Sequence, residues 1–287
     1  MNDSMLDIRP ASAVTGAEIH GADLTRPLSD AAYRQIRGAL NTYGVIFFRN
    51  QKVTPADHVA FAERFGEILV TDFMNPVAGY PMITIIGKEP EQTRNIGGNW
   101  HTDHSFEDRP PLGSILVARE LPAFGGDTLF ASMYDAYDRL SEGLKRTLEG
   151  MRVVHSKRSA FDPKKLTAER QSGTAKEIAE LETRAKKYEA VHPVCPVHPE
   201  SGRKLLYVNP NYTSHFEGWT VEESAPLLAY LYQHATRPES TCRFHWEPGS
   251  IAFWDNRSSW HLALNDYHGM RRIMHRITLR GTGFAAN

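Results

Sequence analysis

Beyond residue 80 the chain is cut into short apolar runs, each closed off by turn-forming residues, and this pattern most limits what it can fold into. Met82–Ile86, Ser114–Ala118, Thr128–Ala131, Met151–His155, His192–Val197 and Lys204–Val208 read as strands. So do Thr241–Trp246, Ser250–Trp254, Ser259–Leu264 and Arg271–Leu279. Pro199-Glu200-Ser201-Gly202 and Glu247-Pro248-Gly249 supply turns, the latter with proline and glycine placed for type II. Many short strands leave exposed edges unless they close on one another. The pattern therefore predicts a β-sandwich or jelly roll.

Helices frame these strands. Ser29 caps a helical stretch through Asn41, with Ala32, Tyr33, Ile36 and Leu40 on one face and Gly44 after its end. Val45–Phe48 follows as a buried strand. Thr54-Pro55 opens a second helix that stops at Gly66, and Ser132–Gly150 returns to a helical period, with Ser141 able to cap a second helix inside it. Thr220-Val221-Glu222-Glu223 is a capping box for a helix reaching about Ala235. The expected class is mainly β with flanking helices. No repeat or Gly/Ser-rich linker divides residues 1–287, so a single domain is expected, with a charged excursion at about 162–189 that could form a lid.

Composition excludes several roles. Lys+Arg 33 against Asp+Glu 34 gives no global field for nucleic acid or anionic lipid. No window approaches the ~18 uncharged apolar residues of a membrane span, and the N-terminus lacks a basic segment followed by an apolar run. Cys195 and Cys242 are too few for a disulfide framework or zinc ribbon, so a cytoplasmic setting is expected. Histidine is abundant, with 13 residues, so a metal site here would use nitrogen and oxygen donors.

Asn99-Trp100-His101-Thr102-Asp103-His104-Ser105-Phe106 is the informative segment. In a strand, residues two apart share a face, so His101 and Asp103 can present an imidazole and a carboxylate together. A third ligand from a distant strand, with His261 the candidate, would complete the 2-His-1-carboxylate face of non-haem Fe(II) oxygenases. Any His-x-Asp can equally be a hydrogen-bonded pair within a sheet. Arg272 and Arg276 weigh toward the metal: four apart on an apolar strand, they fall on one face, and a guanidinium grips a carboxylate bidentately.

Taken together, Gly21-Ala22-Asp23-Leu24-Thr25-Arg26-Pro27-Leu28, Asn99-Trp100-His101-Thr102-Asp103, Gly125-Gly126-Asp127-Thr128, Trp254-Asp255-Asn256-Arg257 and Asn265-Asp266-Tyr267 leading to Arg271-Arg272-Ile273-Met274-His275-Arg276 resemble one family. It is the taurine dioxygenase / 2,4-dichlorophenoxyacetate dioxygenase family of Fe(II)- and 2-oxoglutarate-dependent oxygenases. The resemblance implies a double-stranded β-helix, the jelly-roll variant. It implies that His101, Asp103 and His261 bind Fe(II), that Thr128 and Arg272 hold the distal carboxylate of 2-oxoglutarate, and that Arg276 meets an acidic group on the substrate. With O2, such enzymes hydroxylate a C–H bond and release succinate and CO2. The intact Asp103 favours hydroxylation over halogenation, and relatives are commonly homo-oligomers, dimers or tetramers.

Substrate residues depart from the taurine pattern. The positions of its sulfonate-binding histidine, nearby tyrosine and pocket asparagine hold Thr71, Met74 and Gly97 here. A larger, less polar entrance is expected, with Phe106, Phe161 and Tyr212 as aromatic walls or as core. His104 could touch substrate, point away or pair with Glu107. A small or medium anionic organic molecule fits best: a sulfonate, alkyl sulfate, aryloxyalkanoate or other acid. Taurine dioxygenase itself, a non-catalytic jelly-roll metabolite binder and a zinc hydrolase with the same ligands are the alternatives.

Overall fold

A computed structural model describes residues 5–70, 75–157 and 188–284 of the 287-residue chain. In chain order the elements are β1 (Asp7–Pro10), β2 (Ala17–His20), α1 (Asp30–Tyr43), β3 (Val45–Phe48), α2 (Pro55–Glu63), β4 (Ile68–Leu69), β5 (Pro76–Val77) and β6 (Tyr80–Lys88). Then come β7 (Gly113–Glu120), β8 (Thr128–Ser132), α3 (Met133–Asp138), α4 (Glu142–Leu148), β9 (Arg152–Ser156), β10 (Glu189–Pro193) and β11 (Thr213–Phe216). The chain continues with α5 (Val221–Ala235), β12 (Thr241–Phe244), β13 (Ile251–Asp255), β14 (Ser259–Ala263) and β15 (Arg272–Leu279).

Alternation along β3 shows how the layers meet. Ile46 and Phe48 join a core with α1 and α2, whereas Val45 and Phe47 face the other way and join Phe130, Phe244, Trp246 and Trp254 between the sheets. Burial on both sides explains why this run carries no polar residue. The large sheet runs β1-β2-β3-β13-β7-β15-β6-β5, with β4 paired to β15. Facing it across that second core is the sheet β12-β8-β14, and a third, β10-β9-β11, packs in a separate core with α3 and α5. Apart from β2–β3 the pairings are antiparallel, and the mainly β jelly roll with flanking helices is the observed architecture.

Local capping signals produced the helices they announced. Ser29 accepts from the Ala32 amide and Gly44 closes α1 at φ 73°; Thr54–Asp57 and Thr220–Glu223 form reciprocal capping boxes. Two strand expectations need correction. Lys204–Val208 is not a regular strand: an isolated antiparallel bridge joins Val197 to Lys204, and Leu205 and Tyr207 donate to Pro196 and Val194 in the same register, but Leu206 donates to Met133 instead. The run is apolar because it threads the core below α3 and α5. His192–Val197 is displaced to Glu189–Pro193, where β10 pairs with β9.

Cys195 and Cys242 are free and buried, and burial pushes both thiols up to about 12, so neither is a ready nucleophile or metal ligand. His58, on α2, is buried with neither ring nitrogen hydrogen-bonded. Burial, reinforced by the Arg119 charge, pulls its pKa down to about 3. Below its unfolded value of ~6.5 the unfolded chain therefore binds the proton that the native state refuses. This contribution is complete above pH 6.5 and declines as pH falls toward 3. In urea unfolding between pH 7.5 and 5, His58→Leu should lose about 2 kcal/mol less stability than the parent chain; equal losses would show that His58 does not titrate this way.

Candidate active site

Two distant segments meet as an isolated antiparallel bridge: His101 N donates to His261 O at 3.1 Å, and His261 N to His101 O at 2.8 Å. This reciprocal pair sets the two imidazoles side by side, ring centroids 4.1 Å apart. Asp103 is not on a strand, contrary to the sequence expectation; it begins the turn that leaves the bridge. Its Oδ1 nevertheless lies 3.7 Å from His101 Nε2 and 3.9 Å from His261 Nε2. One donor atom from each of the three falls within 4.8 Å of the others, and all three residues are buried.

Neighbours fix these groups in ligand form. His101 Nδ1 donates to Asn99 O at 2.7 Å, leaving Nε2 with its lone pair toward the cluster. Ser114 Oγ donates to Asp103 Oδ2 at 3.0 Å, and Asn256 Oδ1 accepts from Asp103 N at 3.3 Å. Asn256 is itself oriented by Trp254 Nε1 at 2.8 Å, and its carbonyl accepts from Thr102 Oγ1. Burial opposes ionisation of Asp103, but the neighbouring Arg276 charge outweighs it and holds the carboxyl below the usual range. Burial also lowers both His101 and His261, His261 far below the ordinary value, so the imidazoles are neutral as a metal requires.

Arg276 NH1 stands 3.3 and 3.4 Å from the two Asp103 oxygens. It lines two cavities at once. The larger, about 560 Å³, is also walled by His101, Asp103, His104, Phe106 and Tyr212. The smaller contains Thr128, Arg272, His261 and Trp254. Arg272 is buried with Nε and NH2 unpaired, and Lys88, 1% exposed, sits opposite it in register across β6 and β15. Neither forms an ion pair among the described residues. Like charges opposed across a ladder are destabilising, so this corner has the electrostatics of an anion site.

His104 does pair with Glu107, Nδ1 to Oε1 at 2.8 Å, while its ring stacks on Phe106 and borders the large cavity. Its φ of 50° is unusual outside glycine, and such strain concentrates at functional sites. Phe106 is 2% exposed and meets the Tyr212 edge at 5.0 Å, so it is both wall and core. Gly97 does more than enlarge the entrance: at φ 81°, a Cβ would come within 3.3 Å of His101 Cε1. Thr71, Met74 and Phe161, and the excursion except its last two residues, lie outside the described residues.

A jelly roll whose interior gathers two neutral imidazoles, one carboxylate and an unpaired buried arginine has the donor set of a non-haem iron dioxygenase. The family model "Taurine catabolism dioxygenase TauD, TfdA family" matches residues 7–278, and the chain belongs to that family. An alpha-ketoglutarate-dependent sulfate ester dioxygenase of Pseudomonas putida is 34% identical over 96% of this chain and 90% of its own length. An alkylsulfatase of Acinetobacter baylyi is also 34% identical, over 96% and 85%. Among solved structures, a taurine dioxygenase from Burkholderia xenovorans has TM-score 0.82 and 38% identity, covering 99% of this chain and 93% of that one. No helix among the described residues is long and apolar enough to cross a membrane.

Proposed function

We propose that this chain is a single-domain Fe(II)- and 2-oxoglutarate-dependent dioxygenase that hydroxylates small or medium anionic organic molecules, with alkyl sulfate esters the first class to test. The observation that carries this reading is the buried His101–Asp103–His261 cluster with Arg276 in direct contact with its carboxylate. His101, Asp103 and His261 hold the metal, and the donor set suits it: two nitrogens and one oxygen, with thiols kept away. Fe(II) with 2-oxoglutarate and O2 supplies the oxidising chemistry, giving succinate, CO2 and a hydroxylated C–H position.

The protein's own groups bind and orient. Thr128 and Arg272 hold the distal carboxylate of 2-oxoglutarate, answering the unpaired guanidinium noted above. Arg276 anchors the substrate anion, and its closeness to Asp103 supports a pose in which the carbon next to that anion lies beside the metal ligands. His104, Phe106 and Tyr212 shape the large cavity, together with Thr71 and Phe161 as sequence-derived proposals. A sulfate ester hydroxylated at the carbon bearing oxygen collapses to an aldehyde and sulfate, so positioning that carbon is sufficient. The similarity to a sulfate ester dioxygenase and an alkylsulfatase supports this order of testing. The reading includes a cytoplasmic setting and a homo-oligomer, dimer or tetramer.

Anaerobic Fe(II) plus 2-oxoglutarate should give a weak visible charge-transfer band, and O2 with a panel of alkyl sulfates, sulfonates and aryloxy acids should release succinate coupled to product. A chain giving neither overturns the reading. Arg276→Gln should keep the band while coupled product falls about 100-fold, the scale of one lost charged contact pair. Unchanged product formation would remove the anchor role.

A further inference from the structure

We propose that Trp246 is a positioning residue for the co-substrate: its indole N–H sets the direction in which the Thr128 hydroxyl donates, and its ring face seats the Arg272 guanidinium. The inference rests on the reading that Thr128 and Arg272 hold the 2-oxoglutarate carboxylate. Trp246 lies two residues beyond the end of β12, whose Phe244 pairs with Thr128 of β8. Register therefore delivers the indole to that threonine.

Trp246 Nε1 donates to Thr128 Oγ1 at 2.9 Å, and both residues are buried. Indole nitrogen can only donate, so this bond occupies a hydroxyl lone pair and leaves the hydroxyl proton for another acceptor. Among the described residues the Thr128 hydroxyl makes no second hydrogen bond. An incoming carboxylate supplies the missing acceptor. The same indole lies 5.6 Å from the Arg272 guanidinium carbon, within cation–π range. Gly126, at φ 71°, leaves room for the stem of that arginine, since a Cβ there would come within 3.2 Å of its Cδ. One aromatic residue thus touches both proposed carboxylate ligands, one through its edge and the other through its face.

Trp246 also fills core, meeting Phe244 edge to face at 4.8 Å. Trp246→Phe keeps an aromatic face toward Arg272 and Phe244 while removing the donor together with the second ring. Anaerobic calorimetric titration of the Fe(II)-loaded protein with 2-oxoglutarate should show about tenfold weaker binding in this variant, equivalent to about 1.4 kcal/mol. In turnover the loss should fall on KM for 2-oxoglutarate rather than on kcat. In a Thr128→Val background, Trp246→Phe should change affinity less than twofold, because the route through the hydroxyl is already gone. Equal losses in both backgrounds, or unchanged affinity in the single variant, would overturn the positioning role while leaving the dioxygenase reading intact. A parent chain that binds no 2-oxoglutarate would overturn both.

Discussion

His101→Ala is expected to give a folded protein that no longer retains Fe(II), shows no visible band with 2-oxoglutarate and forms no measurable product. The imidazole borders the large cavity, so its removal opens space that water can fill rather than a dry void. The bridge to His261 uses backbone atoms and survives the substitution. What is lost is one of three donors in a site with no spare ligand among the described residues. His104→Ala provides the contrast, three positions along and also at the cavity wall. It removes a ring held by Glu107, not by the cluster, and should retain metal. Metal content and the anaerobic spectrum of the two variants check this directly. A His101→Ala protein that keeps iron and the band, or a His104→Ala protein that loses both, would mean that the cluster is not the metal site.

The ligands are legible in the amino-acid sequence because their residue types carry the chemistry, although a strand is not what brings them together. A strand was expected to align His101 with Asp103; instead a two-residue bridge fixes His101, and a turn brings Asp103 round. Caps at Ser29, Thr54 and Thr220 were equally legible, since the whole interaction spans three or four residues. Ser114, Asn256, Trp246 and Lys88 gave no such signal. Asn256 reaches Asp103 across 153 positions and Trp246 reaches Thr128 across 118, so their roles exist only after the sheets have paired. Lys204–Val208 is the mixed case: it lies alongside Val194–Val197 as the turn between them implies, but Leu206 donates to Met133 and no regular strand forms, since a run of apolar residues reports burial rather than a continuous ladder.

The second large effect follows from the turn that carries Asn256. Asp255, fully buried, accepts from Arg257 Nε at 3.0 Å and from its backbone N at 2.8 Å through Oδ1; through Oδ2 it accepts from Arg257 NH2 at 2.6 Å and meets His198 Nε2 at 3.1 Å. Arg257 reaches on to Glu200, which a bidentate Arg37 ties to α1. Asp255→Ala leaves the Arg257 guanidinium, 2% exposed, with only Glu200 as counter-charge. Stranding a buried charge in this way costs about 3–5 kcal/mol, or a fall in Tm of roughly 10 °C for a domain of this size. Burial opposes ionisation of Asp255, but Arg257 and His198 prevail and hold its pKa below the ordinary value. Its stabilisation is therefore present above pH ~4 and is lost as pH falls lower, so the variant should also show a shallower acid limb. Because Asn256 follows directly and holds both Asp103 and Thr102, the same change should weaken Fe(II) binding by about 10–100-fold, the range for groups that orient metal ligands. Asp255→Leu combined with Arg257→Leu should recover much of the Tm, since no charge is then left alone, but not the metal affinity, since the turn has lost its tether. Recovery of both, or a single variant with unchanged Tm and iron binding, would show that the ion network and the metal-site turn are independent.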